Sequence, residues 1–269
     1  MIKSLISSVF AFIARPKLFV PGLIVAAFYL LLAFFAVDAV LEIIYNSLVL
    51  GIYPGGTLLQ LPLLFLAMYP TQTIIVIALA LFSYAGSAWL IFTYAKDVKD
   101  KKAGLGGIIS FGIRNLLNII VLTLFLFLVG LVYAIITLLL LHVSILGGIF
   151  GFIALILLLI WFLFGIYLLF KLYFLPAVMA VEEIKLKQAL GKTWNWSGKR
   201  LLSIILIIII IEIVASVLTF IGLVAGDLFT DPILSAVAYY PFAVIAIAYS
   251  SMVLVNYYNE NKGIAAKKA

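Results

Sequence analysis

Cysteine is absent, histidine occurs once, and only a tenth of the residues are charged. The first absence removes disulfides and thiolate metal sites. The second leaves His142 without the companions that a metal centre needs. The third sets the class. With 67% hydrophobic residues, 10% charged and a mean hydropathy of +1.36 over 269 residues, the chain cannot assemble a water-facing surface. It is expected to be an all-α polytopic membrane protein, a bundle of about six transmembrane helices with interfacial amphipathic helices on one face. The sequence holds no nucleophile elbow, phosphate-binding loop or HExxH motif, and it implies no cofactor. The formal charge of +7 points to anionic headgroups rather than nucleic acid, because the basic residues lie in short segments next to apolar spans.

Residues 1–14 place Ile2, Leu5, Ile6, Val9, Phe10 and Ile13 on one helical face, with Lys3, Ser4, Ser7 and Ser8 elsewhere. This reads as an interfacial helix closed by the turn at Arg15, Pro16 and Lys17. Spans are expected at about 18–48, 73–94, 115–141, 149–173, 201–224 and 233–257. The first is too long, and lacks the small-residue site, for a cleaved signal peptide. Between the first two spans, residues 51–72 carry no charge but three prolines and an apolar run too short to cross. That composition suits a half-inserted segment covered by protein. Pro176 should stop or kink the fourth span, and Pro241 the sixth.

The basic residues test this threading. They fall in groups of three (Lys3, Arg15, Lys17), five (Lys96 to Arg114), six (Lys171 to Arg200) and three (Lys262, Lys267, Lys268), which together are all 17 in the chain. Six spans put every group on one side and leave the opposite loops without any. By the positive-inside rule that face is cytoplasmic, with both termini inside, as expected of a multi-pass plasma-membrane protein.

The one long stretch of mixed charge is 171–200. Residues 181–196 within it read as a single amphipathic helix, apolar at Ile184, Leu186, Leu190, Trp194 and Trp196, and charged at Glu182, Glu183, Lys185, Lys187 and Lys192. Its acidic pair lies toward the N-terminal end, where it suits the dipole. Such a helix is built to lie along headgroups, and Glu182, Glu183, Lys185, Lys187, Trp194, Trp196, Lys199 and Arg200 form the candidate cytoplasmic interface. A shift of 85 residues lays Gly104, Leu105, Arg114, Leu116 and Leu117 on Ala189, Leu190, Lys199, Leu201 and Leu202. The outline around Arg15 is similar. The sequence therefore suggests three parallel copies of an interfacial helix followed by a transmembrane hairpin.

The junction YFLPAVMAVEEIKLKQALGKTWNWSGKRLL and the opening FAFIARPKLFVPGLI resemble the six-span membrane domain fused to some glycerophosphoryl diester phosphodiesterases and found in related uncharacterised bacterial and archaeal families. Pro176, Glu182 or Glu183, Ala189, Leu190, Thr193, Trp194 and Arg200 carry the likeness. It implies a membrane domain without chemistry of its own, since the phosphodiesterase site belongs to a separate soluble domain.

The candidate intramembrane polar residues are Glu212, Asp38, Glu42 and His142. Glu212 lies about twelve residues into the fifth span, where an ionised side chain is costly. With every Lys and Arg at the other level, it is either a coupling site or a packing residue, protonated or held by hydroxyl, amide or imidazole groups. Asp38 and Glu42, spaced i, i+4, share a face that either binds a cation or forms a solvated outer turn. Glu182, Glu183 and Lys187 imitate the EExxxR motif of intramembrane CAAX-type proteases, but that chemistry needs further histidines. Small-residue spacings at Gly147 and Gly151, and at Gly222 and Gly226, suit close helix contact or dimerisation. Two classes follow. One is a non-enzymatic scaffold or accessory subunit that engages anionic lipid, a protein partner or a second copy. The other is a small-solute or ion transporter or channel with a coupling site at Glu212.

Overall fold

The computed structural model describes residues 2–29, 70–145 and 147–262, and among these every long element is an α-helix. They are α1 (Ile2–Ala14), α2 (19–29), α3 (Pro70–Lys99), α4 (Leu105–Arg114), α5 (Leu116–Ile145), α6 (Gly148–Leu172), α7 (Leu175–Glu182), α8 (Leu186–Gly198), α9 (Leu201–Asp227) and α10 (Pro232–Asn261). A single 3-10 turn, Pro16–Leu18, joins α1 to α2. Five described helices are long and apolar enough to cross a membrane: α3, α5, α6, α9 and α10. In hydrocarbon a segment must satisfy its own backbone, so runs such as LLSIILIIIII in α9 form helix despite their β-branched residues. Asp38, Glu42, residues 51–69 of the expected half-inserted segment, and the outer part of the expected 18–48 span lie outside the described residues.

The elements repeat in order. A short helix, a following helix and a returning helix recur as α1, α2 and α3; as α4, α5 and α6 with α7; and as α8, α9 and α10. Returning helices α3 and α10, at 30 residues each, measure about 45 Å, longer than a hydrocarbon core of about 30 Å. Their ends carry Lys96, Asp97 and Lys99 in α3, and Asn256 and Glu260 in α10.

The chain forms two compact units: one of Met1–Phe28, Ala85–Leu122 and Phe170–Ala269, the other of Tyr29–Tyr84 and Thr123–Leu169. In the first, each short helix lies on the returning helix of the preceding copy. Helix α4 lies on α3, where Gly112 permits the approach: a Cβ there would come within 2.6 Å of Trp89 Nε1 and 2.7 Å of Thr93 Cγ2. Helix α8 lies on α7, and α1 closes the circle on α10. The first two contacts join chain neighbours. The third joins the two ends of the described chain.

The ends of the returning helices tie one copy to another. Lys99 Nζ meets Glu183 Oε1 at 2.6 Å, between copies one and two. Tyr258 donates its hydroxyl to Glu182 Oε1 at 3.1 Å, between copies three and two. Ser4 donates to Glu260 Oε2 at 2.6 Å, between copies one and three. The ring is therefore closed by polar contacts. Leu18, Leu90, Ile108, Phe174 and Met252 are fully enclosed within it, beside buried polar groups such as Asp97 and Lys171.

In the second unit, Trp161 stacks on Tyr133 with ring centroids 5.1 Å apart and donates Nε1 to Thr137 Oγ1 at 3.0 Å. Gly165 leaves room for the Tyr133 ring, which any Cβ would overlap. Gly147 and Gly148 both have positive φ and form the turn between α5 and α6, so Gly147 serves a turn rather than a helix contact. Gly222 and Gly226 bring α9 close to α10: a Cβ on either would lie 3.0 Å from Phe242, Tyr239 or Ser235. That pair packs one hairpin on itself and is used within the chain.

Two expectations on this stretch are corrected. Residues 181–196 are not one helix. Glu183 adopts φ 54 and ends α7, and α8 starts afresh after Lys185. The left-handed residue lets α8 fold back on α7, which a continuous helix could not do. The acidic pair consequently stands at the C-terminal end of α7, where the dipole disfavours it, and the contacts with Lys99, Lys192 and Tyr258 offset that. Pro176 occupies the first turn of α7, where a missing N–H costs nothing, and the break falls just before it at Tyr173 and Phe174. Pro241 lies inside α10.

Candidate membrane-surface site

The three short helices occupy equivalent places and show different chemistry outward. On α1 the enclosed residues are Ser4, Ser8, Ala11 and Phe12, while Ile6, Val9, Phe10 (62% exposed) and Ile13 (69% exposed) face out. This is inverted amphipathicity, and it arises because α10 offers polar partners. Asn256 Nδ2 donates to Ser8 Oγ at 2.8 Å, and Glu260 accepts from Ser4. Helix α1 is bent by 104° from the helix that follows it, so if α2 crosses the bilayer, α1 runs in its plane. An apolar outer face in that plane is what the hydrocarbon boundary accepts.

On α8 a similar set is enclosed, but the outward face is polar. Ala189, Thr193, Trp196 and Ser197 are buried, and Lys187, Gln188, Lys192, Trp194, Asn195 and Lys199 are exposed, with Lys185 exposed just before the helix. The tryptophans separate. Trp194 is 42% exposed, whereas Trp196 is 5% exposed and packs between Phe174 at 5.2 Å, Tyr258 at 5.1 Å and Tyr257 at 6.1 Å. Trp196 therefore belongs to the core, not to the candidate interface, and its buried Nε1 has no acceptor among the described residues.

Arg200 is likewise turned to internal work. It donates to Asn261 Oδ1 at 2.8 Å and lies 5.9 Å from the Trp196 ring centroid. Glu182 binds Lys192 at 3.0 Å. Of the eight interface candidates, Lys185, Lys187, Trp194 and Lys199 remain as outward groups. Glu182, Glu183, Trp196 and Arg200 hold the ring together.

Several residues that organise this end give little sequence signal. Asp97 is fully buried and pairs with Arg15, fixing the turn after α1. Lys17 donates to the Ala103 carbonyl, and Tyr94 to the Leu18 carbonyl at 2.9 Å. Lys171, counted among the surface cations by sequence, is buried. Its ammonium donates to the Trp194 carbonyl at 3.0 Å and stands 4.9 Å from the Trp194 ring. It thereby satisfies a carbonyl in the last turn of α8, where a positive charge suits the dipole. Gly198 leaves it space, since a Cβ would sit 2.8 Å from Nζ. A tyrosine, an aspartate or a lysine at a span end is ordinary by composition. The one available hint was the serine pair at i, i+4 in α1, which marks a polar stripe without saying which way it faces.

The candidate intramembrane residues do not form one described cluster. Glu212, twelfth residue of α9, is exposed and accepts a hydrogen bond from the Tyr173 hydroxyl at 3.1 Å. Of the expected alternatives, this is the hydroxyl partner. His142 stands in the last turn of α5, in the other unit. Among the described residues no group of three His, Asp or Glu side chains could hold a metal ion.

No family model, curated protein or solved structure matches this chain.

Proposed function

We propose that this chain is a non-enzymatic integral membrane protein, a scaffold or accessory subunit, whose basic end engages anionic lipid headgroups. The single observation that carries this reading is the division of labour around the ring. Short helices of equivalent position present apolar residues on α1, and lysines with a tryptophan on α8. One suits the acyl boundary and the other the headgroup layer. The positive-inside pattern of the sequence supports a cytoplasmic location for this end, in a plasma-membrane protein with both termini inside. The resemblance to the membrane domain of glycerophosphoryl diester phosphodiesterases is compatible with a role in lipid organisation rather than catalysis.

The test compares protein in nanodiscs of phosphatidylcholine with and without phosphatidylglycerol. Each lysine near an anionic surface contributes about 1 kcal/mol at low salt. The combined Lys185→Gln, Lys187→Gln and Lys199→Gln variant should therefore lose up to about a hundredfold in affinity for phosphatidylglycerol, with the wild-type preference weakening as salt rises. An unchanged affinity and salt response would rule the reading out.

A second reading has one observation in its favour. Glu212 is a carboxylate on an otherwise apolar helix, held only by a tyrosine hydroxyl among the described residues. Carboxylates inside membranes are by default candidates for ion or proton coupling. Proton or cation flux in proteoliposomes that disappears in Glu212→Gln, in a variant of unchanged stability, would establish transport. Absence of flux in the wild type would leave Glu212 structural.

A further inference from the structure

The ring makes the arginines at its three junctions comparable. Arg15, Arg114 and Arg200 each stand between a short helix and the helix after it. Arg15 is bound by Asp97, the acid near the end of its own copy's returning helix. Arg200 is bound by Asn261, at the end of its own returning helix. By the same rule Arg114 should be bound by Glu182 or Glu183. Both are engaged elsewhere: Glu183 by Lys99, and Glu182 by Lys192 and Tyr258. Arg114 is exposed and has no hydrogen-bond or ion-pair partner among the described residues.

Its surroundings identify what would replace the missing acid. Ile113 is 54% exposed and Leu117 is 73% exposed, and Leu116 and Ile120 continue the outward apolar surface along α5. The guanidinium therefore stands where α5 passes from the polar layer into hydrocarbon. A soluble anion meets only the cation of such a margin, whereas a phospholipid satisfies both parts, with acyl chains on the apolar side and phosphate on the cation. Arginine's planar fork binds phosphate oxygens in pairs, which an ammonium cannot do. The geometry points to Arg114 as a binding site for the phosphate of one annular phospholipid, which takes the place in copy two that Asp97 and Asn261 fill in copies one and three.

This inference rests on the lipid-engaging reading but uses a residue outside the lysine face of α8, so the two can fail separately. Arg114→Gln should lower affinity for phosphatidylglycerol in nanodiscs about fivefold, with its unfolding temperature close to wild type. Arg114→Lys should recover part of that loss. Arg200→Gln, in contrast, should destabilise the protein without a comparable loss of lipid. Wild-type protein crosslinked with a photoreactive phosphatidylglycerol should be labelled within residues 105–120, and inorganic phosphate should not compete. Wild-type lipid affinity in Arg114→Gln, or no label in that segment, would overturn the assignment, and competition by inorganic phosphate would reassign the site to a soluble anion. If Arg114→Gln keeps its lipid while the triple lysine variant loses it, only the arginine site falls. If both keep it, the lipid reading falls as well.

Discussion

Helices α1 and α8 have the same length, 13 residues, and the same place, each lying on the returning helix before it in the ring. They bury similar side chains and expose opposite kinds. Each encloses an alanine, two hydroxyls and an aromatic ring, but α1 exposes Phe10 and Ile13 while α8 exposes lysines. Amphipathicity therefore does not tell which face a short membrane-protein helix turns inward. The partner decides. The end of α10 presents Asn256 and Glu260 to α1, and burying two hydroxyls there is favourable because both are hydrogen-bonded. The apolar Phe174 and the two tyrosines of α10 present a surface on which the Trp196 ring of α8 packs.

The largest expected effect removes what α8 buries. Trp196→Ala deletes a core aromatic with contacts on three rings and should cost about 3–5 kcal/mol, read as a large drop in unfolding midpoint in nanodiscs. Asp97→Asn acts on the α1 side. It leaves the Arg15 guanidinium facing a neutral group, and because Arg15 is partly exposed the cost should be about 2–3 kcal/mol. Faster proteolysis or hydrogen exchange confined to α1 would distinguish release of that helix from global unfolding. Phe10→Lys tests the inverted face directly. If α1 is embedded, a cation there should cost about 1–3 kcal/mol in a bilayer and much less in detergent. Equal stability in both would mean that α1 faces water. The smallest effect belongs to Trp194→Ala, expected to change stability by less than about 1 kcal/mol while weakening lipid binding. A loss as large as that of Trp196→Ala would erase the contrast between the two tryptophans.

Much of the bundle was legible in one dimension. The expected spans at 73–94, 115–141, 149–173, 201–224 and 233–257 fall within or close to α3, α5, α6, α9 and α10, because hydropathy over twenty residues is a direct reading of transfer free energy. The short helix at 1–14 and the turn after it were equally visible. The helix at 181–196 was not, since nothing in EEIK announces a left-handed glutamate. Glutamate has no intrinsic preference for that conformation, and here the packing of α8 on α7 imposes it. The candidate site divides in the same way. Lys185, Lys187 and Lys199 are exposed as their charge suggests, but Lys171, of identical type, is buried over Trp194. The difference lies in the Trp194 carbonyl near the end of α8, which accepts from Lys171.

The sequence by itself determined the membrane class and the described helical spans. These follow from the cost of placing polar groups in hydrocarbon, which each segment bears largely alone. Only the tertiary structure decided the closure of three copies into a ring, the facing of α1 and α8, and the division of Glu182, Glu183, Trp196 and Arg200 from the outward lysines. Those depend on pairs such as Ser4 with Glu260 and Lys99 with Glu183, far apart in the chain. Whether a polar side chain turns inward is settled by the donor or acceptor it meets there, and no local pattern records that partner.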